Sequence, residues 1–190
     1  MATAAANHLP TLEEFLEWES LQEVRYELVD GLVRAMSGGT ADHNTIVLNL
    51  VAGLRAATRG GGCRVFAETM KVIVGGAVMY PDVVVTCARV EPKADSVSEP
   101  VLIIEVLSRS THEIDRGRKW LAYQQIESLR QFVLVSQDQA RVEIFGRTDQ
   151  GWSYVVVTGL AATVTLEPGT RETTLADIYE NSSVSDTRAS

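Results

Sequence analysis

The chain has little with which to staple, anchor or charge itself. Its two cysteines, Cys63 and Cys87, stand at no metal-ligand spacing, so intracellular free thiols are the expectation. No apolar run approaches the roughly 18 residues of a membrane span. The opening Met1–His8 has neither a basic n-region nor an apolar h-region, which predicts a soluble, cytoplasmic protein rather than a secreted one. There is no excess of positive charge either. With 17 bases against 25 acids the net charge is −8, which argues against non-specific DNA binding. Internal repeats and low-complexity stretches are missing. No Gly-x-Ser-x-Gly elbow surrounds Ser108 or Ser110, which excludes serine hydrolysis of that type. The triple glycine at 60–62 lacks the lysine-serine of a phosphate loop and reads as a helix stop.

What is present is an ordinary globular composition, 45% hydrophobic and 22% charged over 190 residues, enough for one domain with a full core. The expected domain is 1–180, with 181–190 a disordered tail. Residues 1–30 carry seven acids and one base, whereas 31–159 hold 13 acids and 14 bases. The acidity therefore lies mainly in the ends, and the near-neutral centre permits contact with nucleic acid.

Periodicity places the elements. Thr11 with Glu14 forms a capping box opening a helix over 11–20. Residues 26–36 read as a hairpin about Asp30-Gly31, whose residues supply positive φ angles. Ile46, Val47, Leu50, Val51 and Leu54 recur at helical spacing over 43–58. Strands are predicted near 63–68, 70–75, 82–87 and 101–107, with a polar connection at 91–96. A capping box at Ser110–Glu113 opens a helix to about Ile126. A buried strand at 132–135 follows, then an antiparallel β extension at 141–146 and 152–158 and a short helix near 174–180. The fold class is α/β, a central mixed β-sheet flanked by helices.

Two acids interrupt this pattern. Asp82 opens Asp82-Val83-Val84-Val85, and Glu105 ends Val101-Leu102-Ile103-Ile104. A carboxylate among β-branched residues costs several kcal/mol to desolvate unless paired. Two of them on successive strands can share one divalent cation, which takes oxygen ligands, including the Val106 carbonyl. The alternative is that each acid caps a strand or pairs with an arginine, and spacing alone leaves both open. Asp115 and Lys119 lie four apart on one helical face. Lys119 is either a phosphate-directed cation or half of an ordinary helix pair.

Several ordered stretches resemble the Uma family of restriction-endonuclease-like proteins, within the PD-(D/E)XK nuclease superfamily. They are Tyr26–Gly31, Tyr80–Val85, Glu105–Thr111, Asp115–Lys119 and Ser128–Val135, and the likeness covers roughly 10–180. It implies a restriction-endonuclease-like fold and a Mg²⁺- or Mn²⁺-dependent DNA endonuclease. Asp82 and Glu105 would be metal ligands, and Lys119 the catalytic cation. The general motif places lysine two residues after the second acid, where this chain has Leu107, so the lysine's role is expected to have moved to Lys119. Glu27 and His43 match an acid and a histidine ahead of the core, and Asp115 is a further supporting residue. Arg109, Arg116 and Arg118 are candidate DNA contacts. A homodimer is expected, with the 141–158 extension a candidate interface. The competing class is a non-catalytic dimeric scaffold on the same fold. Glu68 reads as an exposed strand residue rather than as a support to the metal ligands, and Trp18, Trp120 and Trp152 as packing residues.

Overall fold

The elements follow from local chemistry in a computed structural model that describes residues 10–36, 38–107, 115–169 and 172–185. Helix α1 (Leu12–Glu19) starts at the Thr11–Glu14 capping box and buries Phe15. Strands β1 (Tyr26–Val29) and β2 (Leu32–Ala35) pair antiparallel about Asp30 (φ 52°) and Gly31 (φ 72°), the two positive φ angles of a tight hairpin turn. Helix α2 (Ala41–Ala57) is capped by Thr40 and buries Ile46, Val47, Leu50 and Leu54, the stripe read from the sequence.

The larger sheet has six strands in the order β11-β10-β9-β8-β6-β3. These are β3 (Arg64–Ala67), β6 (Val83–Thr86), β8 (Pro100–Leu107), β9 (Gln131–Ser136), β10 (Arg141–Thr148) and β11 (Gly151–Thr158). Only β8 and β9 run parallel, so the sheet is mixed and the 141–158 hairpin is its antiparallel extension. Period-two alternation splits its residues between two cores. Val83, Val85, Leu102, Ile104, Val133 and Val135 pack under α2. Val84, Ile103, Leu107, Phe132 and Leu134 face the other way, toward Tyr123 and a second sheet.

That second sheet is a departure from the single sheet expected. Five strands lie in the order β2-β1-β5-β4-β7, with β4 (Lys71–Val74), β5 (Ala77–Met79) and β7 (Ser96–Val97). The chain leaves the larger sheet at Glu68, whose φ is 53°, and folds back at Gly75 (φ 56°) and Gly76 (φ 84°). Glycines at two successive positive-φ positions make the β4–β5 turn. The polar connection at 91–96 ends in β7, which pairs parallel to β4.

The helix expected over 110–126 is a π-helical turn at Asp115–Lys119 continuing into α3 (Trp120–Tyr123), and its capping box lies outside the described residues. Strands β12 (Thr163–Thr165) and β13 (Glu172–Thr174) precede α4 (Leu175–Ile178). Beyond it the Ser183 N–H donates to Asp42 Oδ1 at 2.9 Å. The cysteines are not free thiols: Cys63 and Cys87 form a disulfide. The Arg64↔Thr86 register of β3 and β6 leaves the two cysteines facing each other one step beyond the paired ends. As expected, the tryptophans pack: Trp120 stacks on Phe145 at 4.5 Å and meets Trp152 edge-on at 4.9 Å, and Trp18 meets Tyr26 edge-on at 4.6 Å.

A polar network clamps α1 to the second sheet. Tyr80 Oη donates to Glu19 Oε1 at 2.8 Å, and Lys71 Nζ lies 3.3 Å from Glu19 Oε2 and 2.9 Å from Asp95 Oδ2. Burial lowers the Lys71 pKa, but the bonds to Asp95 and Glu19 outweigh it and hold the group at about 12. Burial, then the bond to Glu19, pushes Tyr80 up to about 12. Both groups are held protonated above their unfolded values, so their contribution is intact below about pH 10 and is lost as pH rises toward about 12. Tyr80→Phe is therefore expected to cost about 1–2 kcal/mol at neutral pH and to flatten the alkaline loss of stability. Urea unfolding followed by circular dichroism across pH checks this. An alkaline limb as steep as that of the wild type would refute it.

Candidate active site

The larger sheet puts the two embedded acids side by side. Val83 pairs with Ile104, so Asp82, one step outside β6, stands opposite Glu105 in β8 and on the same face. Asp82 Oδ2 accepts the Val106 N–H at 2.6 Å, a short charge-assisted bond that fixes its rotamer beside Glu105. Both residues and Val106 line one cleft of ≈ 940 Å³ with Glu27, His43, Glu68 and Lys119.

Glu105 is 3% exposed and Lys119 5%. Lys119 Nζ lies 3.1 Å from Glu105 Oε1 and 2.9 Å from Glu27 Oε1. The Tyr123 hydroxyl donates to the same Glu105 oxygen at 2.9 Å, and Glu27 Oε1 also accepts the Tyr80 N–H at 2.8 Å. The lysine thus enters from the helix side and meets Glu105 without occupying position 107. Leu107 shares Glu105's face but is buried in the core with Phe132 and Leu134.

On the other side of Asp82, His43 Nε2 lies 3.3 Å from Asp82 Oδ1. The histidine sits in the first turn of α2, its N–H bonded to Thr40 Oγ1 at 3.1 Å, and Thr40 Oγ1 donates in turn to Gln137 Oε1 at 2.9 Å. Glu68 N–H donates to the Asp82 carbonyl at 3.1 Å. One ligand atom each from His43, Glu68 and Asp82 lie within 4.8 Å of one another. Two carboxylates and an imidazole are a donor set that divalent Mn²⁺ or Mg²⁺ accepts. Glu68 was read from sequence as exposed. It is partly buried in the cleft wall, because its positive φ turns the chain out of β3. The legible signal was an acid at the break between two apolar runs.

The remaining candidates separate. Arg118 lies 3.5 Å from Asp30 Oδ2 at the hairpin turn and is not among the cleft residues. Arg109 lies outside the described residues. Asp115 and Arg116 fall in the π-helical turn, but their side chains are outside what is described. Thr40 and Tyr80 reach the site with no signal in the sequence, whereas Tyr123 continues the helical line of Asp115 and Lys119.

Gly39 determines where the histidine ring sits. A methyl group there would lie 2.8 Å from His43 Nδ1, well inside contact distance. Gly39→Ala is expected to swing the ring away from Asp82 while moving Tm by no more than a few degrees. A crystal structure of the variant with the His43–Asp82 contact unchanged would contradict this.

Comparison with known proteins bears on the fold and the family. A protein of Synechocystis sp. (strain ATCC 27184 / PCC 6803 / Kazusa), "Uncharacterized protein slr1290", is 33% identical over 142 residues, 73% of this chain and 75% of its own. A second from the same strain, "Uncharacterized protein sll1609", is 29% identical over 160 residues, 80% of this chain and 89% of its own. The crystal structure of "a putative nuclease belonging to DUF820" from Anabaena variabilis ATCC 29413 superposes with a TM-score of 0.76 at 19% identity. It covers 90% of this chain and 97% of its own, so the two share the fold. The sequence profile described as "Putative restriction endonuclease" matches residues 12–177, and the chain therefore belongs to the Uma2 family.

Proposed function

We propose that this protein is a metal-dependent endonuclease that hydrolyses phosphodiester bonds in DNA, working from the cleft around Asp82. The observation that carries the reading is the position of Asp82 opposite Glu105, one step past the Val83↔Ile104 pair, with Lys119 Nζ 3.1 Å from Glu105. The residues fit a Mg²⁺ or Mn²⁺ ion. Asp82 is the central ligand, Glu105 and the Val106 carbonyl are the partners implied by the family likeness, and His43 and Glu68 are brought close by the fold. Such an ion, when bound, makes a water more acidic and offsets charge on a phosphoryl oxygen. An imidazole in the set favours Mn²⁺ over Mg²⁺.

The chain's own groups have distinct tasks. The Val106 N–H holds Asp82 in one rotamer, and the carboxylate in turn orients the His43 ring. Lys119 offsets the charge of Glu27 and Glu105 and presents a cation near the phosphate. Tyr123 keeps Glu105 from turning away. Asp115 belongs to the turn that delivers Lys119. Arg109, Arg116 and Arg118 are proposed to meet the DNA outside the cleft. A homodimer completes the proposal, with the edge strand β11, where Tyr154 and Val155 are 50% and 52% exposed, as the contact.

Plasmid cleavage with Mn²⁺ and isothermal titration with the metal alone test the reading together. Asp82→Asn is expected to lower cleavage at least about 100-fold and metal affinity at least about tenfold. Equal cleavage by both proteins would point to a contaminant. No binding heat at millimolar Mn²⁺ would favour the non-catalytic scaffold.

A further inference from the structure

We infer that the inner face of the β1–β2 hairpin is a phosphate clamp. In it Arg25 and Arg34 hold backbone phosphates of the nucleic-acid strand on either side of the one presented to Asp82. This rests on the nuclease reading above and adds where the substrate lies.

The register assigns the face. Glu27 pairs with Arg34, and the Met36 N–H donates to the Arg25 carbonyl at 2.9 Å, which makes Arg25 and Met36 the next pair. Directly opposite residues share a face, as do residues two apart along a strand. Arg25, Glu27, Arg34 and Met36 are therefore on one side of the hairpin, and all four line the cleft. Glu27 is bonded to Lys119 and to Tyr80 N–H, so this side faces the reaction centre. Arg25 and Arg34 are diagonal neighbours, roughly 7 Å apart at the backbone, and long guanidinium side chains reach separate phosphates from there.

Charge gives the reason. The cleft holds four carboxylates, Glu27, Glu68, Asp82 and Glu105, against three fixed cations, Arg25, Arg34 and Lys119. Lys119 lies between Glu27 and Glu105, and His43 lies against Asp82. In a chain of net charge −8, a polyanion needs cations not already matched by carboxylates. Arg34 is exposed and forms no ion pair among the described residues. Arg25 bonds only to a neutral acceptor there, the Glu68 carbonyl at 3.3 Å, with its guanidinium 5.5 Å from the Tyr80 ring centre. That contact aims the Arg25 head without spending its charge. Arg118, by contrast, is matched by Asp30 at the hairpin turn.

Fluorescence anisotropy in EDTA separates binding from cleavage. The probes are a labelled DNA strand of about 20 nucleotides, alone and annealed to its complement, titrated between about 50 and 200 mM salt. Arg34→Gln and Arg25→Gln are each expected to weaken binding several-fold and to make the log–log salt slope shallower by about one. Arg34→Lys should retain the slope, and Arg89→Gln, whose guanidinium is matched by Glu91 away from the cleft, should leave affinity unchanged. The tighter of the two probes identifies the strand form that the clamp takes. Because Arg25 also touches the Glu68 backbone, Arg34 is the decisive position. Wild-type affinity and slope in Arg34→Gln overturn the clamp and leave the nuclease reading standing. A wild-type protein that binds neither probe in EDTA and cuts neither when Mn²⁺ replaces it removes both.

Discussion

The buried ammonium of Lys119 is the interaction on which the site depends. Taking a charge out of water costs several kcal/mol, and only well-placed opposite charges repay it. Here the repayment comes from two elements distant in sequence, Glu27 in β1 and Glu105 in β8. The ion contacts tie the hairpin, the central strand and the helix into one unit. They also relieve Glu27 and Glu105, which would otherwise face each other as like charges. Tyr123 and the Tyr80 N–H satisfy further lone pairs of the two carboxylates. A buried triad of this sort adds little net stability, because desolvation offsets most of the attraction.

That triad also bears on the proposal that Lys119 takes the role of a lysine at position 107. A lysine at 107 would share Glu105's face, two residues along the same strand. Leu107 there packs with Phe132, Leu134 and Tyr123 in the second core, so an ammonium at that point would sit among apolar groups. Arriving instead from the π-helical turn, Lys119 reaches the same carboxylate from the rim of the cleft. Single π-turns are rare and frequent at functional sites, and Lys119 is the last residue of this one, directly before α3.

Much of this was legible in the sequence because it is local or periodic. The Asp30-Gly31 turn, the stripe of α2 and the alternation across β6 and β8 each follow from a few neighbouring residues. The embedded Asp82 and Glu105 stood out because burying a carboxylate is costly. What escaped reading depended on distant pairing. The departure of β4 into a second sheet follows from one positive φ at Glu68 and from Gly75-Gly76, and only the latter is a recognisable turn signal. The Cys63–Cys87 disulfide depends on the β3–β6 register, which no 24-residue spacing announces. Glu68 was read as exposed because its role comes from a backbone angle.

Asp82 and the two groups clustered with it, His43 and Glu68, are each set by a different local device. His43 is placed by the Thr40 cap and by the missing side chain at Gly39. Asp82 is placed by the Val106 N–H. Glu68 is turned in by a left-handed backbone conformation, which costs a non-glycine residue about 1 kcal/mol or more, and its N–H returns to the Asp82 carbonyl. None of the three relies on a cation to hold its backbone. In the proposed nuclease these backbone devices would meet the ordering cost of the donor set during folding and leave binding energy for the phosphate. A strained acid beside a capped histidine is a cost that the proposed chemistry at this cleft would account for.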